Sequence, residues 1–492
     1  MTAVSVARLS AALAAAGLLV ESRGTFPVDV TGLTDDSREV ERGGLFIAIR
    51  GASLDGNTYL RAAAAAGAAV VVAEQVNALA DLSVPALVVS DARRSTAVLA
   101  AAFHGDPGRQ LSLIGVTGTN GKTTTTAMIR HLLDSRAAPS ASIGTLGVLV
   151  GSAGNPLPGG RDLTTPGPIE LQRVLRALVD HGVKSVVMEV SSHALHQQRV
   201  EGLRFDAAVF TNLTRDHLDY HRTMEDYFAA KALLVKYLAP LGVAVRNADD
   251  PAWAALSGAP RWCSYGVLDA AADVAAREVV CDPRGSNWVL SAGGRSAAVR
   301  LPLIGDFNVT NAVAAAATAL SLGRSLEEVA AGVGSMPQVP GRLEIIGEHP
   351  TVLRDYAHTP DALERALRAL RSFVEGRIVV VFGAGGDRDR GKRPLMGRVA
   401  AANADLLVVT SDNPRTEDPE SIIDEIVAPL SAGRYERIES RRAAIGRAIA
   451  LADPERDVVL LAGKGHETYQ IRGTVKLPFD ERDVVRECLI AR

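Results

Sequence analysis

Leu111-Ser-Leu-Ile-Gly-Val116 runs directly into Thr117-Gly-Thr-Asn-Gly-Lys-Thr-Thr-Thr125, so a short apolar strand leads into a glycine-rich loop. A helical pattern follows to about Leu133. The order strand, glycine loop, helix is the context of a phosphate-binding P-loop, in which backbone N–H groups and a helix N-terminus face the anion. In that arrangement Lys122 reaches the β- and γ-phosphates, and the Thr123 hydroxyl binds Mg²⁺.

The loop departs from the strict Walker pattern at its first position. Val116 occupies the place of the first Walker glycine, and the extra glycine is Gly118 instead. The alternative is a glycine-rich turn that precedes a lysine by coincidence, but the strand before it and the helix after it favour a phosphate site. We predict nucleotide contacts from the consecutive loop residues Gly118, Thr119, Asn120, Gly121, Lys122, Thr123 and Thr124.

The composition is that of an ordinary globular protein without a polyanionic partner. The 492 residues suggest about three domains, and 47% are hydrophobic and 22% charged. The net charge of -3, from 53 basic and 56 acidic residues, argues against nucleic acid and against an anionic membrane surface. Cys263, Cys281 and Cys488 form no CxxC pair, which argues against a disulfide framework and suits a reducing cytoplasm.

Alanine-rich helical stretches alternate with short Val/Ile/Leu runs, which predicts an α/β fold with buried parallel strands. Turn-forming residues cluster at residues 104–108 and 337–341. These clusters divide the chain into the predicted domains 1–106, 107–338 and 339–492.

Three further stretches carry expectations about exposure and membranes. The N-terminus predicts an amphipathic helix rather than a signal peptide, because Arg8 comes too late for a basic leader region. The longest apolar run, residues 62–73, is too short to span a bilayer, so no membrane insertion is expected. Residues 151–160, rich in glycine and proline, are expected to form an exposed loop.

Acidic and histidine side chains follow two further predicted strands. Glu189 lies in the strand 184–190, and Asp216 and His217 follow the strand 205–211. Ligands of open α/β sheets lie at the carboxyl ends of strands, so these side chains are candidates for a metal and a γ-phosphate. Mg²⁺ prefers hard oxygen ligands, which favours Glu189, whereas Asp216 and His217 could equally cap the helix that follows.

Nine motifs occur along the chain in a fixed order: GTNGKTTT, MEVSSHAL, TNLTRDHLDYH, GDFNVTNAVAA, VPGRLE, DYAHTPDAL, GAGGDRDRGKRP, DNPR and AGKGHE. Together they resemble the Mur ligase family, the cytoplasmic enzymes that add amino acids to the peptidoglycan precursor. The resemblance covers the whole chain and is strongest to the members that add the third amino acid, the UDP-N-acetylmuramoyl-tripeptide synthetases.

The resemblance implies a three-domain Mur ligase architecture: an N-terminal UDP-sugar-binding α/β domain, a central P-loop ATPase domain and a C-terminal Rossmann-like domain that binds the amino acid. It implies that ATP phosphorylates the D-Glu γ-carboxylate of UDP-N-acetylmuramoyl-L-Ala-D-Glu, and that an amine then attacks the acyl phosphate. Such an enzyme is expected to act in the cytoplasm, as a monomer. The alternatives within ligases are a lysine-adding enzyme and a folylpolyglutamate-synthase-like enzyme.

Five residues match the catalytic and metal-binding positions of the family. Lys122 would neutralise the phosphates, Thr123 and Glu189 would hold one Mg²⁺ ion, and His217 would hold a second. Lys231 matches the lysine that the family carbamylates with CO₂, which would make it a carboxylate-like metal ligand. Without the resemblance, Lys231 would be an ordinary helix lysine.

Further nucleotide contacts are implied in the last part of the chain. Asn308 and Asn311 resemble nucleotide-binding asparagines, although they could instead cap the alanine-rich helix that follows. Arg342 and Asp355 match positions that reach the ATP site from the third domain, so domain closure is expected to assemble the site.

Contacts to the UDP-linked substrate carry over position by position. Ser37, in Asp-Ser-Arg, resembles a uracil contact with Ala52-Ser53-Leu54 nearby, although this tripeptide could be an ordinary turn. The residues that match contacts to the muramoyl dipeptide are Thr164, Thr165, Ser191, Gln197 and Arg199.

The added amino acid is predicted from Asp412-Asn-Pro-Arg415. This motif resembles that of ligases that add meso-diaminopimelate, whereas lysine-adding relatives usually lack the arginine. Diaminopimelate differs from lysine by one distal carboxylate, which an arginine can bind bidentately, and Glu467 would pair with the distal ammonium. The alternative for Arg415 is a solvated loop side chain. The matching positions are Arg388, Asp412, Asn413, Pro414, Arg415, Gly463 and Glu467.

Two hypotheses from other classes are disfavoured. Residues 383–386, Gly-Ala-Gly-Gly after an apolar strand, imitate a dinucleotide fingerprint and would indicate a dehydrogenase, but Arg388 occupies the third glycine position. The second hypothesis is a homologue that binds nucleotide without turnover. Such a protein would not need Lys122, Glu189, His217 and Lys231, and all four are present.

Overall fold

The structure, a computed structural model, describes residues 3–51, 54–79, 82–160, 163–431 and 433–490. The chain divides into two compact units, Met1–Tyr265 with Ala317–Arg324 and Gly266–Ala316 with Ser325–Arg492. Both units mix helices with largely parallel sheets, which confirms the predicted α/β class. Within the described ranges, no helix has both the length and the apolar character needed to cross a membrane.

The N-terminal part of the first unit holds short strands and three helices: β1 (Val4–Ser5), α1 (Val6–Ala15), β2 (Leu19–Arg23), β3 (Asp29–Val30), β4 (Leu33–Thr34), β5 (Leu45–Ile47), α2 (Leu60–Ala65), β6 (Val70–Ala73), β7 (Ala86–Val89) and α3 (Ala92–Phe103). Five strands form a sheet in the order β2-β7-β6-β5-β4, in which only β2 runs antiparallel to its neighbour. Helix α1 buries Val6, Leu9 and Leu13 on one face, as its amphipathic pattern predicted.

The rest of the first unit contains the predicted P-loop. Its elements are β8 (Ser112–Thr117), α4 (Lys122–Leu133), β9 (Ser140–Gly144), β10 (Gly147–Val150), β11 (Asn155–Leu157), α5 (Pro168–Asp180), β12 (Ser185–Glu189), α6 (Ser192–His196), β13 (Phe205–Phe210), α7 (Leu218–His221), α8 (Met224–Ala232), β14 (Leu238–Asn247) and β15 (Arg261–Gly266). The strand order is β11-β10-β9-β12-β8-β13-β14-β15, and all neighbours from β9 to β15 run parallel.

Parallel pairing places the predicted site residues at one edge of this sheet. Glu189 at the end of β12 pairs in register with Val116 of β8, and Phe210 of β13 pairs with Thr117. The three strands are almost wholly buried, as their Val, Ile and Ala content requires. The loops that follow β8, β12 and β13 therefore leave the sheet side by side.

The second unit contains the remaining elements, except that the end of α9, from Ala317, belongs to the first unit. They are β16 (Val274–Asp282), β17 (Gly285–Ala292), β18 (Arg295–Leu301), α9 (Asp306–Ser321), α10 (Leu326–Gly334), β19 (Glu344–Gly347), β20 (Thr351–Asp355), α11 (Pro360–Arg371), β21 (Ile378–Phe382), α12 (Lys392–Asn403), β22 (Leu406–Val409), α13 (Pro419–Val427), β23 (Glu436–Arg437), α14 (Arg441–Leu451), β24 (Val458–Ala462), β25 (Tyr469–Arg472), β26 (Val475–Pro478) and α15 (Glu481–Ile490). Strands β16, β17 and β18 form an antiparallel meander. A six-stranded sheet has the order β19-β20-β24-β21-β22-β23 and is parallel apart from β19.

One expectation about local structure needs correction, and one disfavoured alternative loses further support. The stretch 151–160 is not loop throughout, because β11 pairs antiparallel with β10 as an edge hairpin. The apparent dinucleotide fingerprint after β21 also differs from a true one. A dinucleotide-binding turn opens a helix at once, but α12 begins only at Lys392, so residues 383–391 form a loop.

Candidate active site

The P-loop is fixed by two glycines that no other residue could replace without strain. Gly121, with φ 83°, precedes the first residue of α4. A Cβ on Gly118 would lie 1.8 Å from Thr211 Oγ1, so this close approach excludes any side chain. Asn212 then braces the loop: its carbonyl accepts from Thr119 N–H at 2.7 Å and its Oδ1 accepts from Asn120 N–H at 2.9 Å.

Two lysines converge on one carbonyl of this loop. Lys122 Nζ donates to Gly118 O at 2.9 Å, and Lys231 Nζ donates to the same oxygen at 2.7 Å. Lys231 is 1% exposed, and its amine lies 4.4 Å from the centre of the Tyr227 ring. Burial, reinforced by the charge of Lys122, lowers the pKa of Lys231 well below its ordinary value. The structure therefore favours a neutral amine at this position.

Glu189 accepts hydrogen bonds from both the backbone and the side chain of Thr145, a residue that the sequence analysis did not identify. The Thr123 hydroxyl donates to Glu189 Oε2 at 3.1 Å. Thr145 donates its N–H to Oε1 at 2.8 Å and its hydroxyl to Oε2 at 3.2 Å. A Cβ on Gly144 would lie 2.2 Å from Oε1, so only glycine leaves room for the carboxylate.

This oxygen pair suits a hard cation. Thr123 and Glu189 are buried and in contact, at the start of the helix that would face a nucleotide phosphate. Mg²⁺ is typically bound by one or two protein oxygens together with phosphate oxygens, so these two residues fit the group that the sequence predicts. Among the described residues, no group of three or more His, Cys, Asp or Glu side chains could hold a metal.

His217 lies half-exposed near the two lysines, with its ring centre 6.1 Å from that of Tyr227. Its φ is 53°, and its ring Nε2 is 3.5 Å from Asp216 Oδ2. Burial lowers the pKa of His217, with Asp216 opposing the shift and Lys122 and Lys231 adding to it. A neutral imidazole can act as a ligand. His217 precedes α7, but its side chain makes no capping hydrogen bond, so the structure does not support a capping role.

A ring cluster surrounds His217 that sequence analysis did not identify. His193 lies 4.9 Å from His217, 4.2 Å from Tyr220 and 5.4 Å from His221, measured between ring centres. Burial, followed by the charges of His217 and His221, lowers the pKa of His193 to about 4. Burial lowers the pKa of all three histidines of this cluster, His193, His217 and His221.

The residues predicted to contact the muramoyl dipeptide lie together next to Glu189. Thr165 Oγ1 donates to Glu189 O at 2.9 Å and accepts from Ser191 N–H at 3.0 Å. Arg199 donates to Thr165 O at 2.8 Å and to Gln197 Oε1 at 2.7 Å. Thr164 is linked to the same network, because its hydroxyl lies 3.3 Å from that of Thr145. Their role in binding the substrate stays a prediction.

Ser37 begins a short 3-10 helix, Ser37–Glu39, in the N-terminal part of the first unit. Asp36 caps it by accepting from Arg38 N–H at 2.9 Å, and the Arg38 guanidinium holds the pKa of Asp36 at about 2. The tripeptide Asp-Ser-Arg therefore does form a capped turn, as the alternative interpretation expected. The contact of Ser37 with uracil stays a prediction. Ala52 and Ser53 lie outside the described residues.

In the second unit, the predicted nucleotide residues form two pairs. Asn311 Nδ2 donates to Asn308 Oδ1 at 3.1 Å, and Asn308 Nδ2 donates to Ile304 O at 2.8 Å. Both asparagines lie inside α9 rather than at its N-cap, so they do not cap it. Arg342 lies over the Tyr356 ring at 4.9 Å, close to Asp355, whose carboxylate accepts from Leu343 N–H at 2.7 Å.

The residues predicted to bind the amino acid come from three loops at the carboxyl ends of β21, β22 and β24. Arg415 donates through Nη1 to Gly386 O at 2.7 Å and has φ 53°. A Cβ on Gly386 would lie 1.8 Å from Pro414 O, so the first two loops interlock there. Arg388 is exposed on the β21 loop. The alternative of a freely solvated Arg415 does not hold, because its side chain and backbone are both anchored.

A fully buried lysine joins the other members of this group. Lys464 donates to Asn413 Oδ1 at 3.0 Å and to Glu467 Oε2 at 3.2 Å, and lies 3.7 Å from Asp412 Oδ1. Asn413 Nδ2 also donates to Glu467 Oε2 at 2.8 Å. A Cβ on Gly463, where φ is 117°, would lie 2.3 Å from Asp412 Oδ2.

Sequence analysis missed four residues with evident roles in these sites: Thr145, Asn212, Tyr227 and Lys464. Thr145 and Asn212 follow β9 and β13 at their carboxyl ends, so the rule that identified Glu189 could have found both. Lys464 lies between two predicted ligands in one motif. The position of Tyr227 under Lys231 carried no sequence signal beyond helical spacing.

Comparison with known proteins assigns the family. Residues 29–104 match the catalytic domain of the Mur ligase family, residues 116–319 match the Mur ligase middle domain, and residues 341–465 match the Mur ligase glutamate ligase domain. The UDP-N-acetylmuramoyl-L-alanyl-D-glutamate–2,6-diaminopimelate ligase of Gloeobacter violaceus is 46% identical, over 99% of this chain and 98% of its own. The enzyme of that name from Geobacillus kaustophilus is 46% identical, over 94% and 96%.

A solved structure of a protein with this same name superposes with a TM-score of 0.70 at 35% identity, covering 100% of this chain and 99% of its own. Identity of this extent, over nearly the full length of each relative, goes beyond a shared fold. The chain belongs to the Mur ligase family.

Proposed function

We propose that the enzyme joins meso-diaminopimelate to the D-Glu γ-carboxylate of UDP-N-acetylmuramoyl-L-Ala-D-Glu, with hydrolysis of ATP to ADP and phosphate. The observation that carries this proposal is the anchored Arg415 in a chain whose full-length relatives are named 2,6-diaminopimelate ligases. Mur ligases depend on ATP. The lysine-adding and folylpolyglutamate alternatives lack this support.

The first step joins two anions, so the site must reduce their repulsion. The γ-carboxylate oxygen attacks the γ-phosphorus of ATP, the bond to the β,γ-bridging oxygen breaks, and an acyl phosphate and ADP result. Lys122, which already turns back over the loop, would neutralise the transferring phosphoryl group. Mg²⁺, held by Thr123 and Glu189 with His217 at a second ion, would supply further charge neutralisation when bound.

Lys231 would take part as a carbamate. A neutral amine can attack the carbon of CO₂ and release a proton, which leaves a carboxylate-like anion. The buried setting and lowered pKa of Lys231 supply that neutral amine. The Tyr227 ring lies against the amine, with its centre 4.4 Å from Lys231 Nζ.

The second step forms the amide. The amine of diaminopimelate attacks the acyl carbon, and the tetrahedral intermediate expels phosphate. Arg415 would bind the distal carboxylate and Glu467 the distal ammonium, with Arg388 on the neighbouring loop. ATP and the UDP-linked dipeptide are cytoplasmic metabolites in this scheme, so the reaction would take place in the cytoplasm. The three free cysteines are consistent with such a reducing compartment.

The test measures ADP release with UDP-N-acetylmuramoyl-L-Ala-D-Glu, ATP and Mg²⁺, with meso-diaminopimelate or L-lysine as the amine. The proposal expects kcat/KM for diaminopimelate to exceed that for lysine by at least about a hundredfold, since a buried site built for a polar group rejects the analogue that lacks it. Equal use of the two amines would refute the assignment of the amine. No ADP release with either would refute the reaction.

A further inference from the structure

Lys464 is a completely buried cation next to the predicted amino-acid site. Its side chain is 0% exposed, and its ammonium faces three oxygens: Asn413 Oδ1, Glu467 Oε2 and Asp412 Oδ1. Two of these oxygens accept hydrogen bonds from the ammonium, and Asp412 Oδ1, at 3.7 Å, adds a charge contact. The partners are themselves predicted to touch the substrate, whereas Lys464 has no surface through which it could do so.

The contacts fix the orientation of the Asn413 amide. Its Oδ1 accepts from Lys464 at 3.0 Å and from Ile471 N–H at 2.9 Å, which turns Nδ2 toward Glu467. Both hydrogen bonds to Glu467 end on Oε2. The other oxygen, Oε1, accepts neither of these bonds, so it is the carboxylate oxygen left to accept from a ligand ammonium.

The contacts also set the charge of the pocket. Asp412 and Glu467 are carboxylates and Lys464 and Arg415 are cations, so these four anchored side chains sum to a formal charge of zero. Arg388, exposed on the neighbouring loop, adds a positive charge that water and salt screen. The distal end of diaminopimelate carries an ammonium and a carboxylate and also sums to zero. The distal end of lysine is a lone cation. A neutral pocket with separated charges suits the first and gives the second no net attraction.

We propose that Lys464 is a positioning and specificity residue, which orients Asn413 and Glu467 and cancels the pocket charge that would otherwise favour lysine. The inference rests on the proposed function, because it concerns the same amine site. Without Lys464, the remaining three groups sum to one negative charge, and a singly cationic end gains attraction relative to a zwitterionic one.

The experiment compares the full-length wild-type chain with Lys464→Met and Lys464→Gln, using ADP release with UDP-N-acetylmuramoyl-L-Ala-D-Glu. Met removes both the charge and the hydrogen bonds, while Gln keeps a donor for Asn413 or Glu467 and so protects the fold. For both variants, the ratio of kcat/KM for diaminopimelate to that for lysine should fall by about tenfold to a hundredfold. KM for diaminopimelate should rise at least about tenfold, and KM for ATP should stay within about twofold.

A buried ion pair elsewhere in the same unit provides the control. Arg441 and Glu481 are both 0% exposed and in contact at 2.8 Å. Glu481→Met removes the ion pair and leaves the hydrogen bond from Arg441 to Ala462 O, next to the amino-acid site, in place. It should lower the thermal midpoint yet leave the diaminopimelate-to-lysine ratio unchanged, because a purely structural loss affects both amines equally.

The outcomes separate this inference from the proposed function. A folded Lys464 variant with an unchanged amine ratio, or with KM values for ATP and diaminopimelate that rise together, would overturn the role of Lys464. If Lys464→Met does not fold, Lys464→Gln decides the question by the same ratio. A wild-type chain that uses neither amine would instead overturn the proposed function.

Discussion

Thr145 is bonded to Glu189 twice, through its N–H to Oε1 at 2.8 Å and through its hydroxyl to Oε2 at 3.2 Å. The same hydroxyl lies 3.3 Å from that of Thr164. Thr145 therefore connects the carboxylate predicted to bind Mg²⁺ with a residue predicted to bind the muramoyl dipeptide. Groups that orient a metal ligand in this way affect metal affinity nearly as strongly as the ligand does.

Thr145→Val should raise the Mg²⁺ concentration for half-maximal ADP release about tenfold, because it removes the hydroxyl and keeps the backbone bond and the shape. Thr145→Ser, which keeps the hydroxyl, should restore the wild-type Mg²⁺ dependence. The measurement is the initial rate across a Mg²⁺ titration at saturating ATP. A Val variant with wild-type Mg²⁺ dependence would show that the hydroxyl does not orient Glu189.

The sequence predicted the strands well because buried parallel strands are apolar throughout. The predicted strands at 111–116, 184–190 and 205–211 each lie within one residue of the observed ends. The hairpin strand β11 was missed because it contains a proline and has glycines on either side, which is typical of a loop, although edge strands tolerate proline. The predicted domain boundaries at 106/107 and 338/339 stay predictions.

Sequence analysis identified the site residues that lie in a recognisable motif or at the end of a strand. It did not identify the residues whose role is to orient another side chain. Glu189 follows from the rule for strand ends, and Arg415 from its motif. The burial of Lys464 between Asp412 and Glu467 depends on three loops that meet only in the folded protein. The spacing of residues in the sequence does not indicate which loops come into contact in the folded protein.

Lys122→Ala should lower kcat/KM by about a thousandfold or more, because it removes the charge that neutralises the phosphoryl group. The thermal midpoint should change little, since the lysine's hydrogen bonds to Gly118 O and Thr119 O stay within its own loop and connect no other element. Lys184, an exposed lysine beside β12, is the matched control, and Lys184→Ala should leave the rate unchanged. Near-normal activity of Lys122→Ala would remove the P-loop assignment.

Activity should depend on CO₂ through Lys231. Enzyme prepared in CO₂-depleted buffer should lose most of its rate and recover it when bicarbonate is added, because the neutral amine re-forms the carbamate. With ¹³C-bicarbonate, NMR should show a carbamate carbon that is absent from Lys231→Met. The same spectrum for the wild type and for Lys231→Met, or a rate indifferent to CO₂, would show that Lys231 acts as an amine.

Arg415→Ala should raise KM for diaminopimelate about a hundredfold while KM for ATP stays near the wild-type value, because the variant loses a charge-assisted bidentate contact. Arg415→Lys should recover only part of the loss, since an ammonium cannot form the planar fork. Steady-state kinetics for each substrate in turn provide the measurement. Equal losses for ATP and diaminopimelate would mean that Arg415 only anchors its loop to Gly386.

Glu417 links the loops around the amino-acid site through a buried guanidinium. Arg393, which is 0% exposed, donates to both carboxylate oxygens of Glu417 at 2.8 and 2.9 Å, and also to Glu425. These hydrogen bonds lower the pKa of Glu417 to about 2. Since the pKa in the folded state is lower than in the unfolded state, the stabilisation is complete above about pH 4.5 and is lost as the pH falls toward 2.

Glu417→Gln should therefore destabilise the protein by about 1–2 kcal/mol at pH 7, a value limited by the second partner of Arg393. That corresponds to a thermal midpoint lower by about 2–6 °C. The difference from the wild type should stay constant between pH 7 and 5 and shrink below pH 4.5, as the wild-type carboxylate becomes protonated. Glu420 lies in the first turn of α13, the helix that follows Glu417, and forms an exposed ion pair with Arg437. Glu420→Gln should have almost no effect on stability at any pH. A Glu417→Gln difference that persists unchanged at pH 3 would mean that the charge of Glu417 does not stabilise these loops.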